Sequence, residues 1–154
     1  MLMHRSPLSA SILILILVLV PFLASCSDGS ANKAAKHKGV VVSVHSIERM
    51  PEWNDGRGTM RPRSSDFEML VLRVNYDATG TEGATFGRPL LEMADGTPTE
   101  SLLSSYALSG GKTTQDIPFA ISRGSVPVKF IHGDAAIDVS KHRVAGAPTS
   151  ASAK

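Results

Sequence analysis

The segment Phe67 to Tyr76, FEMLVLRVNY, constrains the fold more than any other stretch of the chain. Leu70, Leu72, Val74 and Tyr76 fall on one side of a period-two pattern, and Phe67, Met69, Val71 and Arg73 fall on the other. That alternation belongs to a β-strand, whose successive side chains point to opposite faces; a helix would scatter the same residues around its circumference. A strand this long and this apolar needs a second layer to cover it, so the chain must build a sheet with a partner.

The same period recurs elsewhere. Val40, Val42 and Val44 alternate with Val41, Ser43 and His45. Leu91 and Met93 precede Asp95-Gly96, a tight-turn dipeptide that predicts a hairpin. Ile117, Phe119 and Ile121 are followed by the turn residues Arg123-Gly124-Ser125, and then Val126, Val128 and Phe130 repeat the pattern. Ile137 and Val139 offer a short last strand. Pro118 and Pro127 lie inside strand patterns, which assigns those strands to sheet edges or to bulges, because proline cannot donate to a ladder. Ser101 to Leu108, SLLSSYAL, fits a helical turn or a strand equally well. About seven short strands with regular turn signals predict an all-β, two-sheet antiparallel sandwich over residues 39–141.

The head of the chain has a different chemistry. His4 and Arg5 precede an unbroken apolar run from Ile12 to Val20, which ends at Pro21. The run is shorter than the roughly 20 residues that a bilayer-spanning helix needs, and it has the build of a signal peptide. It closes on Leu23-Ala24-Ser25-Cys26, and Cys26 is the one cysteine of the chain. These four residues resemble the lipobox of bacterial lipoproteins: an apolar residue, two small ones, and a cysteine whose sulfur is acylated. The resemblance implies a signal peptide at 1–25, a lipidated Cys26, and a protein held on the cell envelope by its acyl chains. Ser27 after the cysteine implies the outer membrane in a Gram-negative cell; in a Gram-positive cell the place is the outer face of the cell membrane. Residues 27–38, SDGSANKAAKHK, lack apolar periodicity, so 26–38 is expected to be a flexible tether. Residues 142–154 have the composition of a disordered tail.

The body also carries a family likeness. The long strand 67–76, the Leu91-Glu92-Met93-Ala94-Asp95-Gly96 hairpin, and Gly110-Gly111-Lys112 leading into Ile117-Pro118-Phe119-Ala120-Ile121 occur in a characteristic order. In that order they resemble the immunoglobulin-like domain of unknown function found in many bacterial lipoproteins. Asp77-Ala78-Thr79 stands where that family often has an asparagine. The family brings no catalytic residues with it.

Catalysis finds little support in the sequence. No G-x-S-x-G or S-x-x-K motif accompanies the serines, and the acids are scattered singly. Sixteen Lys and Arg against fourteen Asp and Glu make a charge balance too even for a nucleic-acid binder. No enzyme activity and no cofactor are expected. A metal-handling lipoprotein is the alternative, using His45 and His132 with Met50, Met60, Met69 and Met93, although no ligand spacing links them. His37 in the tether and His142 near the tail are expected to lie outside rigid structure.

Residues 50–66, MPEWNDGRGTMRPRSSD, form the longest stretch without a strand pattern inside the body. They hold the only tryptophan, Trp53, together with Arg57, Arg61 and Arg63. Tryptophan and arginine are enriched at binding hot spots because each joins a large stackable surface to polar contacts. Two readings stand side by side. Trp53 folds back onto a sheet edge while the arginines solvate the loop, or the loop is a binding surface for a protein or peptide. The expected role is therefore a lipid-anchored, non-catalytic binding or structural module.

Overall fold

A computed structural model describes residues 33–146, and among them every regular element is a strand. Residues 23–26 of the expected lipobox, most of the expected tether and the last eight residues lie outside the described residues. The first strands in chain order are β1 (Ala35–His37), β2 (Val40–Met50), β3 (Trp53–Asn54), β4 (Thr59–Met60) and β5 (Phe67–Ala78). Next come β6 (Ala84–Phe86), β7 (Leu90–Met93), β8 (Pro98–Glu100) and β9 (Tyr106–Leu108). The chain continues through β10 (Gly111–Ser122), β11 (Pro127–His132), β12 (Ala135–Asp138) and β13 (Val144–Ala145).

Two sheets dominate. One runs in the order β1-β2-β5-β10, with β13 added beside β2; the other runs β12-β11-β7-β8. Two small pairs, β3-β4 and β6-β9, complete the architecture. The pairing is antiparallel except for β13, which lies parallel to β2.

Leu70, Leu72, Val74 and Tyr76 of β5 are buried together with Val40, Val42, Val44, Leu91, Ile117, Phe119, Ile121, Phe130 and Ile137 in one apolar cluster. Both sheets contribute to that cluster, so each covers the other's apolar face. On the other face of β5, Phe67 is exposed and Arg73 points outward to Asp116, whereas Met69 and Val71 are buried as well.

Where the simple alternation breaks, a bulge explains it. Continuing Val40, Val42 and Val44 by twos would bring Ser46 inward. The β2–β5 register instead shifts between Val44 and Ser46, so Ile47 rejoins the core and His45 is exposed. The expected face Val126, Val128 and Phe130 is corrected in the same way. The register shifts between Pro127 and Lys129, leaving Val126 exposed and burying Pro127 and Phe130.

The prolines obey their chemistry. β10 is an edge strand, and the Pro118 carbonyl points away from β5 to accept a bond from the Leu102 N–H at 2.9 Å. The nitrogen of Pro118 therefore also faces outward, where no ladder bond is lost. Pro127 opens β11 beside the bulge.

Three expectations about the ends of the body are corrected. Residues 35–37, assigned to the tether, form β1 and pair with Val40–Val42 through a turn at Lys38-Gly39. Gly39 has a φ of 86°, a conformation glycine adopts without steric cost. Residues 144–145, assigned to the tail, form β13 against Ile47 and Glu48. His37 and His142 are both framed by structure: His37 is buried, and His142 Nε2 lies 3.3 Å from the Val44 carbonyl. Short strands such as β1 and β13 escape a periodicity reading because they contain too few residues to repeat a pattern.

Candidate functional site

The outward face of the five-stranded sheet is built from the residues that alternate with the core. Register places Val41, Asp77 and Lys112 in one row across β2, β5 and β10, and Ser43, Asn75 and Thr114 in the next. Ser46, Arg73 and Asp116 form a third row, and Glu48, Val71 and Pro118 a fourth. The rows are stitched by polar contacts. Lys112 Nζ lies 3.2 Å from Asp77, Thr114 Oγ1 donates to Asn75 at 2.7 Å, and Arg73 holds Asp116 through two bonds of 2.8 and 2.9 Å. The first two rows line an open recess of about 620 Å³.

Charge on this face is tightly held. Bonds from Thr79, and then from Lys112, lower the Asp77 carboxyl to about 2. The paired carboxylate of Asp116 raises Arg73 above its ordinary range. Exposed pairs of this kind contribute little to stability, but they fix which side chains present which charge.

The 50–66 loop lies over the other end of the same face. Residues 53–60 fold into a two-stranded hairpin in which Trp53 pairs with Met60 and Asn54 with Thr59. Its turn is organised by side-chain acceptors: Asn54 Oδ1 receives the Gly56 N–H, and Asp55 Oδ1 receives the N–H groups of Arg57 and Gly58. Those backbone bonds lower the Asp55 carboxyl below the usual carboxylate range. Trp53 is half-buried and lines a recess of about 290 Å³ with Ser46, Glu48, Met50, Asn54, Val71, Arg73 and Asp116. It lies on the sheet's face rather than at an edge.

The four loop residues chosen from sequence therefore separate. Arg61 is exposed and bonded to Glu52 at 2.6 Å. Arg57 stands at the hairpin turn beside Asp55, and Arg63 is exposed with no ion-pair partner among the described residues. Trp53 folds back over the sheet, and Arg57, Arg61 and Arg63 are exposed. Cys26 lies outside the described residues. Sequence reasoning missed Asn75, Asp77, Lys112 and Thr114, although their signal was present. They are the outward-facing members of two strands whose inward members were legible.

A second cluster is internal. His132 is fully buried, with Nδ1 2.7 Å from the Tyr76 hydroxyl and Nε2 3.0 Å from the Gly87 carbonyl. Nε2–H donates to that carbonyl and Nδ1 accepts from the hydroxyl, which describes a neutral ring. Burial lowers its pKa to about 4. Phe86 stacks against both His132 and His37, with ring centroids 4.5 and 4.7 Å away. His37 Nε2 lies 3.2 Å from the Thr85 carbonyl, while Nδ1 meets the Asp134 N–H and carboxylate, each at 3.0 Å. This cluster ties β1, β5, β6 and β11 together.

The residues named for the metal alternative have separate surroundings. His132 uses both ring nitrogens inside the protein, His45 is exposed at the β2 bulge, and Met69 and Met93 are buried. Among the described residues, no group of three or more His, Cys, Asp or Glu gathers where it would hold an ion.

No family model, curated protein or solved structure matches the chain.

Proposed function

We propose that the protein is a lipid-anchored lipoprotein of the bacterial cell envelope, whose body is an immunoglobulin-like β-sandwich acting as a non-catalytic binding or structural module. The observation that carries the reading is the position of Cys26. The chain's one cysteine stands directly after Leu23-Ala24-Ser25, at the end of the apolar run. A single cysteine in an exported chain cannot form an internal disulfide, and acylation gives it a role. Each buried methylene of an acyl chain contributes about 0.8 kcal/mol, so two or three chains hold durably.

Two antiparallel sheets sharing one core support the sandwich reading, and the loops and edges of such a module suit a protein or peptide partner. The outward face of the five-stranded sheet, with Trp53 at one end and the Asp77–Lys112 row at the other, is the favoured surface. Capture of envelope proteins by the full chain, compared with a Trp53→Ala/Arg61→Ala double variant, tests it. Loss of a specific captured band in the variant supports the surface; identical capture removes the hairpin from it. Copper(I) or zinc(II) titration addresses the alternative, which requires a saturable site that His132→Gln abolishes.

A further inference from the structure

We propose that two copies of the chain associate edge to edge through β10, antiparallel about a twofold axis at Thr114, so that their five-stranded sheets become one. This goes beyond the anchoring and module reading and does not depend on it.

The argument begins with which edges are closed. The free side of β2 is covered by β1 at Val40–Val42, by His142 at Val44 and by β13 at Ile47 and Glu48. β10 has β5 on one side, and on its other side Pro118 is engaged by Leu102. Because the Pro118 carbonyl points outward, the alternation of an antiparallel ladder turns the backbone groups of Asp116, Thr114 and Lys112 outward as well. Among the described residues none bonds those outward groups. The open edge is bounded. At one end Gly110 and Gly111 take φ values of 65° and 73°, which ends the strand geometry. At the other end Pro118 has no N–H to offer.

A second copy of the same edge fits this length and its charges. Centred on Thr114, antiparallel pairing sets Thr114 opposite Thr114 and Lys112 opposite Asp116, twice by symmetry. All the outward backbone groups then face one another and exchange ladder bonds. Across the joined sheets the row reads Asp77, Lys112, then Asp116 and Arg73 of the second copy, with charges alternating minus, plus, minus, plus. The next row reads Asn75, Thr114, Thr114, Asn75. Other registers lose this match. A shift of two residues one way sets Lys112 against Pro118, and the other way brings in Gly110. A shift of one turns outward groups against inward ones. Lone lysines blunt an edge by repelling their own kind. A lysine and an aspartate spaced symmetrically about an exposed threonine do the reverse.

The test is the protein mass of the full chain purified in detergent, measured by sedimentation equilibrium over a concentration series. The proposal expects two chains per particle. It expects one chain per particle for Thr114→Lys, which sets two ammonium groups face to face at the axis, with an unchanged circular dichroism spectrum. Lys112→Asp alone should also halve the mass, whereas inverting the whole row with Arg73→Asp/Asp77→Lys/Lys112→Asp/Asp116→Lys should restore it, an outcome that misfolding cannot produce. A one-chain mass for the unsubstituted protein at every concentration overturns the proposal. So does a two-chain mass that survives Thr114→Lys, or a charge swap that stays at one chain.

Discussion

His132 shows how one side chain sets the protein's response to acid. Its ring is held neutral between the Tyr76 hydroxyl and the Gly87 carbonyl, and burial lowers its pKa from 6.5 to about 4. In the unfolded chain the same ring takes a proton below about pH 6.5, so between these values the unfolded state binds more protons than the native one. Stability is therefore fully present above that range and falls as pH drops toward 4, by about 3 kcal/mol in total. Asp77, lowered to about 2, acts in a separate and more acidic window, below its ordinary value of 3.8. Urea unfolding of the full chain at about pH 7 and about pH 4.5 should show this loss, and His132→Gln should flatten it. An equal loss in both proteins would assign the acid sensitivity to other groups. His132 stands two residues after Phe130, at the end of a strand pattern visible in the sequence. Its partners were not legible, because Tyr76 lies 56 residues away and meets it only when the two sheets close.

At the scale of elements, turns and hairpins decide where the long strands can go. Gly133 begins the connection from β11 to β12 at a φ of 62°, and a Cβ there would come within 2.5 Å of the His37 ring. Gly124, between β10 and β11, has a φ of 83° but open space around it. Gly124→Ala should cost about 1–2 kcal/mol, the backbone term alone. Gly133→Ala should cost about 1–3 kcal/mol more, because the β1 contact must also shift. Thermal midpoints of the two variants separate these contributions, and equal losses would remove the His37 contact from the account. In the 53–60 hairpin, Trp53→Ala should cost about 1–2 kcal/mol by uncovering the Val71 recess. Arg57→Ala and Arg63→Ala should stay within about 0.5 kcal/mol. Asp95-Gly96 was legible as a turn because its dipeptide carries the geometry, and β7 and β8 do flank it. The bulge at Val128 was half legible, because Pro127 in a strand pattern marks an edge or a bulge, whereas nothing local marks the one at His45; each keeps a core residue, Phe130 or Ile47, on the core face.

For the molecule as a whole, the legible part is the layer that water dictates. Apolar alternation in β2, β5 and β10 marked the core face, although Met69 and Val71 on the other face of β5 are buried too, and one apolar cluster joins both sheets. The outward face was less legible, since Asp77, Asn75, Lys112 and Thr114 acquire meaning only through cross-strand register. The short strands β1 and β13 were hidden for a related reason: their stability comes from β2, not from their own composition. β1 starts at Ala35, so the stretch from Cys26 to Ala34 is what remains to separate the body from an acylated cysteine. The central claim, a lipid anchor at Cys26 carrying a β module, is tested most directly by metabolic labelling with palmitate in a bacterial host. The account predicts that the full chain incorporates label and stays with the membrane fraction through a high-salt wash. It predicts that Cys26→Ala loses the label and the membrane association together. Equal labelling of the two proteins, or an unlabelled chain recovered in the soluble fraction, would contradict it.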